Sequence, residues 1–355
     1  MALDANKEDY QRLQLRFARS LDRMDPCMAA RSFATFGHRF VTDRDSLPQT
    51  DEDRAFHLVS RATAVIDYQL PFATEAEAGD LVKKGHALLD EALSLDGRCH
   101  DAVRMREAAT RQSFDDYLNF LLSGEEEVRR SCEDRRDQAL AAGDDDRSRA
   151  EAALAMRPYL RWLSCEASRA VLCGRNHQAI SLGERTLELD PTDPSDVRFS
   201  MAVAYAKLED EAGLDAFQDR VRHLQIGRPL LPPDAWTALS RASLAYRRRD
   251  FGAAREAVAA LVSTYPEATV TLALQRDLPD GVYARYAAPA WSADELIVAT
   301  SECTVLTMEG RTDGPLGAFG SWLAGVAMSL MSDADRTAFQ RLVAPGGDAG
   351  KGGER

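Results

Sequence analysis

The sequence predicts an all-α protein, and three observations carry that reading. Apolar residues recur at steps of three and four, helix caps punctuate the chain, and no βαβ alternation, Asn-Gly hairpin or strand–turn–strand rhythm occurs. Tyr10, Leu13, Phe17, Leu21 and Met24 form the first one-sided stripe, with Asn6 as its N-cap and Asp25-Pro26 as its stop. Residues 42–50 (TDRDSLPQT) are polar, contain a proline and read as a connector. Thr50 and Asp53 match a capping box that opens a helix with Ala55, Leu58, Val59, Ala62 and Ile66 on one face. Leu81, Leu88, Leu89 and Ala92 share the next face, which stops at Gly97. The stretch 99–122 is helical in period; Ser123 with Glu126 reads as a further cap, and Gly143 with Asp144–Asp146 as a loop. The best strand candidates are 270–274 (VTLAL) and 296–300 (LIVAT), but helical spacing fits both, and Ser292 followed by Glu295 caps the second as a helix.

At 355 residues the chain has room for about two domains or one elongated array. A composition of 45% apolar and 28% charged residues is that of a folded protein. The net charge of −13 argues against gripping a phosphate backbone, so no nucleic-acid partner is expected. The first residues mix charges of both signs and lack the apolar core of a secretory signal. The longest nearly uncharged stretch, 316–331, is too short to span a bilayer and reads as a buried helix. No membrane association and a cytoplasmic location follow as expectations. Cys27, Cys99, Cys132, Cys165, Cys173 and Cys303 are scattered without a CxxC pair, which fits reduced thiols.

A repeat lies beneath the periodicity. From Leu160 onward, Gly174, Ala179, Leu187 and Pro191 stand at the spacings of a helix-pair repeat of about 34 residues. In such a pair Gly174 ends the first helix, Ala179 lets two helices approach, Leu187 packs inward and Pro191 stops the second helix. Ala254 precedes Pro266 by the same interval as Ala179 precedes Pro191, and Ala92 with Leu93 precedes the turn at Asp96-Gly97. The clearest copies are 160–193, 194–227 and 235–268.

The run from Arg157-Pro158-Tyr159 through Gly174-Arg175, Leu189-Asp190-Pro191, Asp193 and Arg198 resembles a tetratricopeptide-repeat family with many uncharacterised bacterial members. That family is related to suppressor-of-tumorigenicity proteins. The likeness is strongest over 157–207 and extends in outline over 55–305. It departs at Gly97, where proline is the family pattern, at Ser195, and at Gln178 before Ala179. What the resemblance implies is a right-handed α-solenoid of stacked antiparallel helix pairs over 51–343. An N-terminal helix and connector would precede it at 1–50, and a disordered Gly-rich tail would follow at 344–355. The family brings no established activity.

No residue recommends itself for catalysis, metal binding or a cofactor. Cys99-His100 is the sole adjacent Cys/His pair, and the turn at Gly174 and Asn176 separates Cys173 from His177. The tail GGDAGKGGER has the wrong spacing for a phosphate-binding loop. The expectation is therefore a non-enzymatic scaffold holding a protein or peptide partner on a concave face. Its lining residues would be Arg161, Ser164, Arg198, Tyr205, Trp236, Tyr246 and Arg247; the basic run Tyr246-Arg247-Arg248-Arg249 reads either as a solvated helix end or as one side of a groove that receives carboxylates or phosphates. Arg161, Ser164 and Ser168 do not reproduce the Lys/Asn clamp of chaperone-tail-binding repeats. A peptide-responsive transcription regulator and an enzyme of unrecognised class are the alternatives; against the first, residues 1–50 read as a single helix with a loop.

Overall fold

Helices start where a short polar side chain can take over the first free backbone N–H groups. In the computed structural model, which describes residues 3–276, 278–311 and 314–343, every regular element among those residues is helical. The chain divides into an N-terminal unit, Leu3–Cys165 with Gly281–Arg285, and a C-terminal unit, Glu166–Asp280 with the residues from Tyr286 onward. The tail at 344–355 lies outside the described residues.

In the N-terminal unit, α1 (Ala5–Ser20) is capped by Asp4, whose carboxylate accepts from the Lys7 N–H. This corrects the expected cap: Asn6 lies within the first turn, where its Oδ1 accepts from Ser60 Oγ at 2.7 Å. Asp25 likewise starts a helix instead of stopping one, accepting from the Cys27 and Met28 N–H groups to open α2 (Pro26–Ala34). With α3 (Phe36–Thr42), the described residues up to 50 hold three α-helices, not one. The reason is physical: α2 buries no residue completely, and its short apolar side, Ala29 and Phe33, only partly covers Phe17 and Phe36. Leu13, Phe17 and Leu21 of the predicted stripe do pack together, against Phe36 and Leu47, while Met24 is exposed.

The capping box opens α4 (Asp51–Thr63) as predicted, with the Asp53 carboxylate accepting from the Thr50 N–H at 2.8 Å. A π-helical turn, Ala64–Gln69, follows α4 and precedes α5 (Glu75–Leu95) and α6 (His100–Ala108). Ala55, Val59, Ala62, Leu89, Ala92, Ala102 and Met105 join these helices in one core. Gly85 permits the close approach, since a Cβ there would sit 2.5 Å from Ile66. The next helix, α7 (Phe114–Ala141), is capped by Ser113 and runs uninterrupted through Ser123. Ser123 is not a cap; its hydroxyl donates back to the Phe120 carbonyl at 2.8 Å. A break at Gly143 separates α7 from α8 (Asp146–Leu172), whose residues from Glu166 belong to the C-terminal unit.

Three hairpins of the C-terminal unit turn in the same way. Gly174 joins α8 to α9 (Asn176–Leu189), Glu209 joins α10 (Val197–Lys207) to α11 (Glu211–Val221), and Arg249 joins α12 (Ala235–Arg247) to α13 (Phe251–Thr264). All three linkers have left-handed backbone, with φ of 73°, 57° and 63°. In each, the linker N–H reaches the carbonyl three residues back and the next N–H reaches five back, onto Ala170, Tyr205 and Ala245. This double bond is the Schellman C-cap. Glycine was legible at only one of the three, because the other two pay the left-handed strain with ordinary side chains. Packing then runs α9 on α10, α10 on α12 and α12 on α13.

The strand candidates are helical, 270–274 within α14 (Ala268–Leu274) and 296–300 within α15 (Ala293–Glu302), the latter capped by Ser292 as expected. After α16 (Thr304–Thr307), α17 (Ala318–Ser329) buries Phe319, Leu323 and Val326, and α18 (Asp333–Val343) follows. No helix among the described residues is long and apolar enough to cross a membrane.

Ala179 is fully buried, and Gly183 one turn further presses so close to Met201 that a Cβ would meet its side chain at 2.4 Å. Ala179→Leu is therefore expected to overpack α9 and lower stability by about 1–3 kcal/mol. Gln178→Leu, on a half-buried position beside it, should change little. Denaturant melts of the two variants check this; equal losses would contradict the packing described.

Candidate functional site

The N-terminal unit places charged side chains where apolar ones are the rule. Arg161 of α8 is 2% exposed and lies between two buried carboxylates, Glu8 of α1 at 2.8 Å and Asp101 of α6 at 2.7 Å. Glu8 also takes Arg12 at 2.8 Å, and Asp101 faces Arg104. Burial by itself raises a carboxyl pKa, but Arg161, Arg12 and Arg157 together hold Glu8 below its usual value. Asp101, also opposed by burial, is brought down to about 2, mainly by Arg161. Tyr283, from the distant segment Gly281–Arg285, closes the cluster: Arg161 lies 4.4 Å from its ring centroid, and its hydroxyl is 3.3 Å from Glu8.

Arg12 links this cluster to a cleft of about 310 Å³. Arg12, Arg16 and Arg19 enter the cleft from one face of α1, at positions i, i+4 and i+7, and Arg135 of α7 enters it too. Each has an acidic partner: Glu8 for Arg12, Asp53 for Arg16, Glu151 for Arg19, and Glu52 at 2.7 Å for Arg135. Each of the four arginines is thus ion-paired in place.

In the C-terminal unit, Tyr246 near the tip of the α12–α13 hairpin gathers an aromatic patch. Its ring centroid lies 5.6 Å from Phe251, 5.4 Å from Phe319 and 5.2 Å from Trp322. Phe251 is 45% exposed, and Tyr246 and Trp322 are half-buried. Arg247 borders the patch, paired with Glu209 at 2.9 Å and with Glu309, which also takes Lys207. Arg248 pairs with Glu211.

The seven predicted lining residues are dispersed by comparison. Arg161 and Ser164 belong to the N-terminal unit, and Arg161 is sealed in its ion cluster. Arg198 is buried with Asp193 at 2.6 Å and Asp196 at 2.8 Å. Trp236 is buried in a parallel stack on Phe199, with centroids 3.8 Å apart, and donates to Glu302 at 2.7 Å. Arg228 reaches over the same Phe199 ring. Arg161, Arg198 and Trp236, expected on an open groove, are thus withdrawn from solvent. The partners of Arg161 and Trp236 lie far away in sequence, where local spacing gives no warning, whereas those of Arg198 are only two and five residues away. Tyr205 is half-buried against Phe217. Tyr246 and Arg247 alone of the seven sit together on a partly open surface.

Sequence reasoning missed Phe319 and Trp322 as patch members and Glu8, Asp101 and Tyr283 as cluster members. A usable signal existed for one pair: Asp101 and Arg104 alternate with the buried Ala102 and Met105, an unusual place for charge. Cys99 and His100 are both buried; burial pushes the thiol up to about 12 and lowers the imidazole. No group of three or more His, Cys, Asp or Glu able to hold a metal ion occurs among the described residues.

Comparison of the chain with protein-family models, curated proteins and solved structures finds no match.

The lowered carboxylates make stability depend on acid in a definite direction. Asp101 sits at about 2 in the folded chain against an ordinary 3.8, so its contribution is complete above the ordinary value and is lost as pH falls toward 2. Asp101 by itself should account for on the order of 2 kcal/mol over that window. Urea melts between pH 5 and pH 2, as test conditions, should therefore show a steeper decline for the parent chain than for Asp101→Asn. Equal slopes would contradict the role given to Asp101.

Proposed function

We propose that the protein is a non-enzymatic, tetratricopeptide-like scaffold that binds a protein segment, with the Tyr246 patch as its docking surface. In this reading the helix pairs stack as a right-handed solenoid. What supports the stacking is the repeated Schellman turn at Gly174, Glu209 and Arg249, together with buried small residues at corresponding places. Gly85, Ala179 and Ala254 stand the same number of residues before Gly97, Pro191 and Pro266, and all three are buried.

The observation that carries the docking role is the exposed Phe251 beside Tyr246 and Trp322. Aromatic side chains give a large contact area at low conformational cost, and partly exposed clusters of them concentrate binding energy. Arg247 and Arg248 on the border already have carboxylate partners, so they supply register at the rim and the rings supply affinity. A ligand segment with an apolar or aromatic anchor and acidic flanks fits this surface. Such a scaffold would act in the cytoplasm without nucleic acid or membrane. The three helices found in residues 1–50 remove one argument against a transcription regulator. The net charge of −13 still opposes DNA binding, and a mobility shift on genomic DNA fragments decides that reading.

A photo-crosslinking residue at position 251 should capture a partner in the native cell, whereas the same residue at the exposed Glu188 should not. Trp322→Ala should then weaken binding of that partner by about thirty-fold, the usual effect of losing an anchor worth about 2 kcal/mol. Circular dichroism confirms that the variant is folded. Capture at both positions, or undiminished binding by folded Trp322→Ala, would remove the patch from the account.

A further inference from the structure

Among the described residues beyond Cys165, only 281–285 belong to the N-terminal unit. They come from a stretch, 278–292, without regular secondary structure, a length uncommon for a plain connection. The way they are held is that of a ligand. The Asp67 carboxylate accepts from two successive backbone N–H groups, Val282 and Tyr283, each at 2.9 Å. The Arg104 guanidinium donates to the two carbonyls of the same residues, each at 2.6 Å. Four main-chain groups are thus read by one acid and one base, a recognition indifferent to side-chain identity.

Selectivity enters through one side chain. Tyr283 is 2% exposed; its ring meets Phe56 edge-on at 6.3 Å and lies beneath Arg161, and its hydroxyl approaches Glu8. An aromatic anchor in a pocket beside generic main-chain contacts is the pattern by which peptide sites achieve specificity. Asp67 is buried within the π-helical turn Ala64–Gln69, a local distortion frequent at functional sites, and burial raises its pKa. Arg104 is buried as well.

We propose that the N-terminal unit contains a peptide-recognition site for a short segment carrying a tyrosine, and that Val282-Tyr283 of the same chain occupies it as an intramolecular ligand. The site takes its ligand through Asp67 and Arg104 for the main chain and through Phe56, Arg161 and Glu8 for the tyrosine. An outside peptide of this kind gains entry by displacing residues 281–285. The proposal is independent of the Tyr246 patch.

The test uses the full-length chain with Val282→Gly and Tyr283→Gly together, and a fluorescent synthetic peptide of residues 278–287 as probe. The variant should bind the peptide saturably, and the parent chain at least about tenfold more weakly, because its own segment competes. Tyr283→Ala in the peptide should cost about thirty-fold, while Tyr286→Ala in the peptide should cost little. Adding Arg104→Gln to the variant should weaken every peptide alike. If the double-glycine variant does not fold alone, recovery of its helical circular dichroism on adding the peptide is the supporting result. A folded variant that ignores the peptide, an unfolded one that it does not rescue, or equal losses at Tyr283 and Tyr286 would each overturn the proposal.

Discussion

Arg161 is buried between Glu8 and Asp101, and the N-terminal unit is arranged so that this guanidinium never lacks a partner. A charge removed from water costs several kcal/mol, repaid only when geometry and hydrogen bonds are nearly complete. The repayment here comes from three places in the sequence: α1 through Glu8, α6 through Asp101, and the segment 281–285 through the Tyr283 ring. Neither Glu8 nor Asp101 can shift without leaving a buried charge without its ion-pair partner. Such pairs add little stability over apolar packing, but they penalise alternatives heavily.

The C-terminal unit solves the same problem of uniqueness by other means. Its central helices are lined with buried alanines, including Ala179, Ala202, Ala204, Ala206 and Ala242, which bring backbones close and leave little slack. Its large side chains are used in pairs, as Trp236 on Phe199, or gathered near a hairpin tip, as around Tyr246. A surface aromatic group on a closely packed base is a pre-organised contact: the rings have few rotamers to lose on binding. The docking role proposed for the patch around Phe251 rests on that exposure, which the buried Arg161, Arg198 and Trp236 lack.

What could be read in the sequence follows from the range of each interaction. The Thr50–Asp53 box, the Ser292 cap and the Gly174 turn rest on groups three to five residues apart, and all were legible. The fold class followed from the same local rules. Asp4 and Ser113 were missed although they are equally local, because stronger-looking candidates, Asn6 and Ser123, lay nearby. The burial of Arg161 depends on Glu8, 153 positions away, and that of Trp236 on Glu302, 66 away. No spacing rule spans such intervals. Tyr283 shows the limit most clearly, since it sits in an irregular stretch and yet is among the most buried large side chains.

Amide hydrogen exchange on Arg161→Gln tests the central claim most directly, because it reads each element separately. If Arg161 is the shared partner, α1, α6 and residues 281–285 should lose protection together and by similar factors, although only one residue of α8 has changed. Loss confined to the turns of α8 around position 161, with α1 and α6 exchanging as in the parent chain, would contradict it.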